Sequence, residues 1–330
     1  MKAMVCRAFG PPESLVLEEF ASPPLQPGQV RVAVHATGVN FPDLLMLQGK
    51  YQFKPAFPFA PGGEVAGVVI EVGPGVSGVD LSARVRCSVG SGGFADEVVV
   101  NAAQLVPLPS AIDFTTAAVI GSAYGTSLHA LADRARLAAG ESVLVLGATG
   151  GVGMAAVQLA KLLGARVLAA GGSDVKLAKV AAAGADAVVN YTTGNLREAI
   201  TAFTDGKGVD IVYDTVGGAM SEPALRSTAW RGRFLVVGFT AGEIPKLPAN
   251  LLLLKGCDAI GVFYGDYMRR ESEHGRAQFR RLLSWFESGK IKAPIDSVYP
   301  LAEAPTALRS LANREVVGKI VIAPPLQAAT

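Results

Sequence analysis

Along the first hundred residues, short valine-rich runs alternate with glycine and proline punctuation. Residues 30–36, 65–72 and 94–100 are β-branched stretches bounded by Pro-Gly, Gly-Gly or Gly-Pro-Gly, which predicts strands joined by tight turns. Such a series suggests an antiparallel, barrel-like domain. Near Asp113 the pattern changes. Residues 115–131 are alanine-rich and helical in period, 142–147 form a short apolar strand, and 151–163 continue as a helix. Regular alternation follows. Apolar strands at 166–170, 187–190, 209–214, 233–237 and 259–262 are separated by helical segments such as 176–183 and 196–203. Continuous apolar strands between amphipathic helices predict an α/β unit with a doubly wound parallel sheet covered on both faces. Beyond Val262 come a helix at 278–288, a segment at 291–300, another helix and a last strand at 319–323; residues 326–330 are expected to fray. This tail reads as returning to the first domain. The expected division is therefore 1–120 and 263–330 around an inserted unit at 121–262.

Composition narrows the class of protein without naming it. The chain has 330 residues, more than a single core usually serves. It is 50% hydrophobic and 18% charged with a net charge of +2, so a packed globule is expected and a nucleic-acid surface is not. Three cysteines, Cys6, Cys87 and Cys257, are widely spaced and include no CxxC. They suit neither a disulfide framework nor a four-thiolate metal site, and a reducing cytoplasm is the expectation. The first residues show no apolar core of a signal peptide, and no apolar run reaches membrane-spanning length.

The densest chemical signal is Gly147, Ala148, Thr149, Gly150, Gly151, Val152 and Gly153, placed directly after one predicted strand and opening a helix. Glycines there let the backbone approach a pyrophosphate, and the helix N-terminus presents free N–H groups to the anion. The strand–turn–helix context predicts a dinucleotide site in a Rossmann unit. Some 20 residues on, the second strand ends in Ala170, Gly171, Gly172, Ser173 without the acidic residue a ribose diol would want. Ser173 and Lys176 suit a 2′-phosphate, so NADPH is the expected cofactor. Asp174 is read as the N-cap of the following helix.

These features, together with Gly38-Val39-Asn40-Phe41-Pro42-Asp43, Pro61-Gly62-Gly63-Glu64-Val65-Ala66-Gly67, VDIVYDTVGG at 209–218, GRFLVVG at 232–238 and Gly318-Lys319-Ile320-Val321, resemble the medium-chain dehydrogenase/reductase superfamily, specifically its quinone oxidoreductase branch, over essentially the whole chain. The resemblance implies a GroES-like catalytic domain of β-barrel type around the Rossmann domain, a cleft between them, and a homodimer joined along the Rossmann sheet edge, here residues 259–262. Zinc members of the superfamily hold their catalytic metal with a Cys, a His-Glu pair and a second Cys. The matching positions here are Asn40 and Gly63-Glu64. Thiolate and imidazole are both absent, and no metal site is expected.

The same resemblance marks further residues. Asn40 and Asp43 belong to a strand-end turn facing the implied cleft and are candidate catalytic residues; Asn40 could hydrogen-bond a substrate carbonyl or nicotinamide ribose, and for both the alternative is a turn residue satisfying local backbone. Tyr51 matches a cleft tyrosine that could donate to a developing oxyanion, with a half-buried structural tyrosine as the alternative. Thr126 resembles a threonine beside the nicotinamide, and Tyr191 an aromatic near the adenosine phosphate. Gly238, Phe239 and Phe263 end the last two strands, where ligands collect in open α/β sheets. Lys319 approaches the cofactor or is a strand-edge cation. Three histidines, His35, His129 and His274, have no metal-like spacing.

Without a Lewis acid an alcohol is poorly activated for oxidation, whereas a conjugated acceptor is electrophilic already. The expected activity is thus NADPH-dependent reduction of a quinone or similar conjugated carbonyl. Reduction of activated C=C bonds in an enone, acrylate or enoyl thioester is the alternative, with Lys50 and Lys54 able to attract an anionic group. A protein that keeps NADPH without turnover is the reading of another class.

Overall fold

The computed structural model describes residues 1–19 and 21–325; the expected fraying at 326–330 lies outside the described residues. The chain divides into two compact units. One comprises Met1–Gly121 and the stretch from Ile295 onward, the other Ser122–Pro294.

In the first unit, β1 (Lys2–Val5) pairs antiparallel with β2 (Val16–Glu19). The long β3 (Gln29–Val39) leads into the helix α1 (Phe41–Leu47), followed by β4 (Glu64–Val72), β5 (Arg84–Ser88), β6 (Glu97–Asn101) and β7 (Val106–Pro107). Residues 94–96, read as the start of a strand, precede β6 because Phe94 and Asp96 bond instead to the backbone of Pro61 and Lys2. Alternation along β3 puts Val30, Val32 and Val34 inside, against Val65 and Val69 of β4 and Val85 of β5, as strand geometry requires. The division between units falls within α2 (Phe114–Leu128).

The second unit begins with β8 (Ser142–Leu146), every residue of which is buried. It continues with α3 (Gly151–Leu162), β9 (Arg166–Gly171), α4 (Asp174–Ala182), β10 (Ala187–Asn190), α5 (Leu196–Phe203), β11 (Val209–Asp214), α6 (Ser221–Arg226), β12 (Thr228–Val236), α7 (Ala249–Lys255) and β13 (Asp258–Gly261). The six strands are all parallel in the order β10-β9-β8-β11-β12-β13. That is the doubly wound order in which the topology reverses between β8 and β11. Strand β13 is an edge of the sheet.

Two helices follow, α8 (Tyr264–Arg270) and α9 (Ser272–Glu287). The expected return to the first domain at 263 is displaced, since residues up to 294 group with the nucleotide-type unit. Packing explains the correction. The ring of Phe286 meets Tyr124 at 4.8 Å, and the Lys292 carbonyl accepts from Gln158 Nε2 at 3.0 Å. The helix expected over 115–131 stops at Leu128 and passes into a π-helical turn, His129–Arg134.

The first unit is completed by β14 (Ile295–Pro300), α10 (Ala304–Ala312) and β15 (Lys319–Ala323). Its seven-stranded sheet runs β14-β15-β3-β4-β5-β7, with β6 also paired to β3. The sheet is mixed rather than wholly antiparallel, because β14 runs parallel to β15. Lys319 consequently lies on an interior strand, between β14 and β3.

Candidate active site

Each unit carries candidate chemistry of its own. In the second unit the turn after β8 takes the conformation the glycines permit. Gly147 has φ +73°, in the left-handed region. A Cβ on Gly153 would lie 2.2 Å from the Gly147 carbonyl oxygen, so only glycine lets α3 close onto the turn. Gly150 is the N-cap of α3 and supplies no side chain to cap it. The first amides of a helix have no intrahelical acceptor, and with the positive end of the helix they suit an anion.

The walls of this turn come from neighbouring strand ends. Thr215, just past β11, donates from Oγ1 to the Leu146 carbonyl at 2.9 Å. The buried Asp214 accepts from the Val216 and Gly217 amides at 2.8 and 2.9 Å and from Ser221 Oγ at 2.6 Å. Past β12, Gly238 faces the Thr215 carbonyl and Phe239 is partly exposed. Sequence reading missed Thr215 and Asp214, although their place at a strand C-terminus beside the topology reversal was a usable signal.

Past β9, a Cβ on Gly172 would meet the Tyr191 ring at 3.4 Å, which brings Gly172 and Tyr191 together. Ser173, not Asp174, is the N-cap residue of α4; Asp174 opens the helix, with Lys176 in its first turn. Thr126 is half-buried on α2. Beyond β13, Phe263 is largely exposed, and the Tyr264 hydroxyl lies where a Cβ on Gly125 would be. His129 bonds to Asp133 and His274 to Tyr267, and His35 packs on Phe114.

In the first unit, the turn from β3 into α1 is closed from both sides. Asp43 takes the Asn40 amide at 2.8 Å and the Gly62 amide at 3.1 Å. Asp43 therefore ties the turn to the chain at Gly62. Lys319 Nζ donates to Asn40 Oδ1 at 2.6 Å and to the Val39 carbonyl at 2.8 Å. Asn40 Nδ2 donates to the Gly38 carbonyl at 3.2 Å and to Glu64 Oε2 at 3.3 Å. Glu64 in turn faces Arg86 at 3.5 Å. Those two residues are diagonal neighbours across β4 and β5, since Glu64 pairs with Ser88 and Ala66 with Arg86.

All four charged members of this array, Asp43, Glu64, Arg86 and Lys319, are buried. Two carboxylates against two cations make the set neutral, which burial demands. Burial pushes the Asp43 carboxyl up to about 6, against the pull of its two amide donors and of Lys319. Burial also lowers the Lys319 ammonium, opposed by Glu64 and Asp43. Tyr51 is half-buried, and its phenol is raised by burial and then by the Asp43 charge. It therefore stays protonated and able to donate. Among the described residues no group of three or more His, Cys, Asp or Glu is arranged to hold a metal ion.

Comparison with known proteins accords with this geometry. Residues 26–110 match the alcohol dehydrogenase GroES-like domain family, and residues 151–288 the zinc-binding dehydrogenase family. The chain is 39% identical over 325 residues to a quinone oxidoreductase-like protein 2 homolog of Nematostella vectensis, covering 97% of this chain and 88% of that one. It belongs to the quinone oxidoreductase family of medium-chain dehydrogenases/reductases. The quinone oxidoreductase of Rattus norvegicus is 36% identical, with 98% and 97% covered. The crystal structure of Escherichia coli quinone oxidoreductase complexed with NADPH superposes with a TM-score of 0.90 at 30% identity, over 98% of this chain and all of that one.

Proposed function

We propose that this chain is an NADPH-dependent oxidoreductase that reduces a quinone or similar conjugated carbonyl without zinc. One observation carries the zinc-free part. Where zinc members of the superfamily hold a metal, the Asn40 oxygen is already taken by the Lys319 ammonium and the Glu64 carboxylate faces Arg86. The polar groups there are matched to protein cations, and the acceptor must bring its own electrophilicity.

The glycine cradle fits a dinucleotide, as the relative solved with NADPH supports. The amides of Gly151, Val152 and Gly153 would hold its pyrophosphate, Ser173 and Lys176 its 2′-phosphate, and Tyr191 with Gly172 its adenosine side. Thr126, Gly238, Phe239 and Phe263 belong to the nicotinamide side of the same proposal, whereas Lys319 is engaged by Asn40 and Val39 in the first unit. When bound, NADPH supplies hydride. The chain supplies the donor that steadies the acceptor's developing oxyanion, and Tyr51 is our choice, because both sides of the Asn40 amide are engaged within the array.

Steady-state oxidation of NADPH against 1,4-quinones, enones and acrylates, with metal analysis of the active protein, tests the reading. Turnover of quinones by protein lacking stoichiometric zinc is expected; a zinc requirement or brisk oxidation of ethanol would overturn it. Tyr51→Phe should lower kcat at least tenfold with KM for NADPH within twofold, and an unchanged kcat removes Tyr51 as the donor. The second reading, reduction of an activated C=C bond in an anionic acyl substrate, is favoured by the exposed Lys50 and Lys54 after α1. A faster rate with acrylates than with quinones would select it.

The reading extends to a cytoplasmic homodimer. Strand β13 is an edge next to β12, and Trp230 of β12 and Leu253 and Leu254 of α7 are exposed, apolar surface of the kind that marks association sites. Light scattering should return twice the chain mass. Among the described residues no helix is long and apolar enough to cross a membrane.

A further inference from the structure

The loop after α1 carries an aromatic group that the first unit leaves without a ring partner. Three phenylalanines near this loop, Phe9, Phe53 and Phe57, are each about half exposed. Phe9 and Phe57 satisfy one another, edge to face at 4.8 Å, and Phe57 also meets the buried Phe59 at 5.6 Å. The Phe9 ring further closes on Gly49, where a Cβ would lie 3.0 Å from it. These rings serve the loop's own packing.

Phe53 differs. Among the described residues it has no ring partner. Its ring edge comes to 3.6 Å of where a Cβ on Gly90 would be. The turn it meets there, Gly90, Ser91, Gly92, Gly93, offers backbone and almost no side chain. That turn adjoins the charged array. The Val89 amide donates to the Gly63 carbonyl at 2.9 Å, and a Cβ on Gly63 would sit 3.2 Å from the Gly90 carbonyl oxygen. Gly63 is the residue before Glu64. Two residues before Phe53 is Tyr51, close enough to Asp43 to feel its charge. The one unpaired exposed ring of the loop is thus the one beside the candidate donor and the start of β4.

An exposed phenyl group opposite a glycine-rich turn is suited to stack a flat π-system, since offset or edge-to-face ring pairs add to simple area burial. We infer that Phe53 is the specificity-determining residue for the acceptor, a stacking face that selects planar fused-ring quinones over single-ring quinones and open-chain enones. The inference rests on the proposed reduction of conjugated acceptors at the first unit and goes beyond it by naming the shape preferred.

The test compares wild type with Phe53→Ala, Phe53→Leu and Phe53→Trp, using 2-methyl-1,4-naphthoquinone, 1,4-benzoquinone and methyl vinyl ketone at saturating NADPH. Expected for Phe53→Ala is a loss of about tenfold or more in kcat/KM with the naphthoquinone, about threefold with benzoquinone and less than twofold with the enone. Phe53→Trp should restore the naphthoquinone rate, Phe53→Leu should not, and KM for NADPH should not move. Equal losses with all three acceptors, or none, overturn the inference. Binding of the naphthoquinone without NADPH, read by saturation-transfer NMR, separates it from the catalytic reading. If no acceptor is turned over, the proposed function fails by itself; stacking still stands if Phe53→Ala abolishes the transfer signal and falls if the signal is unchanged.

Discussion

The candidate chemistry of one unit is built in the opposite way to that of the other. In the second unit the proposed chemistry rests on one contiguous stretch, Gly147 to Gly153, and would act through backbone amides at a helix start. In the first unit it comes from side chains at 40, 43, 64, 86 and 319, and one hydrogen bond, Lys319 to Asn40, spans 279 residues of sequence. Backbone recognition needs only permission, given by the absence of side chains. Side-chain electrostatics needs assembly, and every member depends on the others for a counter-charge. The first kind of site is sensitive to added atoms, the second to removed charges.

The largest expected effect on ligand affinity follows from adding atoms. Gly153→Ala places a methyl group 2.2 Å from the Gly147 carbonyl oxygen and 2.8 Å from the Ala148 Cα. NADPH affinity, followed by fluorescence titration with far-UV circular dichroism as the folding control, should fall by 100-fold or more. A change within threefold would show that the cradle tolerates bulk and end the contrast.

Removing a charge is the converse. Lys319→Met leaves buried Asp43 and Glu64 short of one cation, and breaking a buried pair in this way costs about 3–5 kcal/mol. Urea unfolding at pH 7 reads the loss, and a value under 1 kcal/mol would mean that the array carries little mutual dependence.

Acidity sharpens the same point. The Asp43 carboxyl is held at about 6, above its ordinary 3.8. Its protonated form is thus favoured in the folded state, and its contribution to stability is full below pH 4 and lost as pH rises through 6. Asp43→Asn lacks this loss. From pH 4 to pH 7 the unfolding free energy of the variant should gain on wild type by about 2 kcal/mol. A difference independent of pH would place the burial of Asp43 in doubt.

The smallest effect concerns the one cation that the nucleotide half is proposed to use. Lys176→Ala should raise KM for NADPH about tenfold and leave KM for NADH unaltered, equivalent to about 1.4 kcal/mol. Equal changes for both cofactors would remove Lys176 from the 2′-phosphate.

How far the sequence was readable follows the same division. The glycine turn, the six parallel strands and their helices were visible because each is encoded within a dozen consecutive residues by period and turn chemistry. The N-cap of α4 was misread by one position, since Ser173 and Asp174 are both good cap residues and local sequence does not choose between them. Asp43 was legible as a residue of the turn but not as its tie to Gly62, because the amide it holds there is 19 residues away.

By itself, then, the sequence determined the class of fold, the dinucleotide turn and the absence of zinc-type ligands at 40 and 63, all matters of residue type and short-range period. Tertiary structure alone decided that residues 263–294 pack with the second unit, that β14 runs parallel to β15, and that Lys319 is an interior cation bound to Asn40 rather than one at a sheet edge. The physical reason is range. Dihedral preference and amphipathic period act between near neighbours, whereas the neutralisation of buried charge is settled only when strands distant in sequence meet.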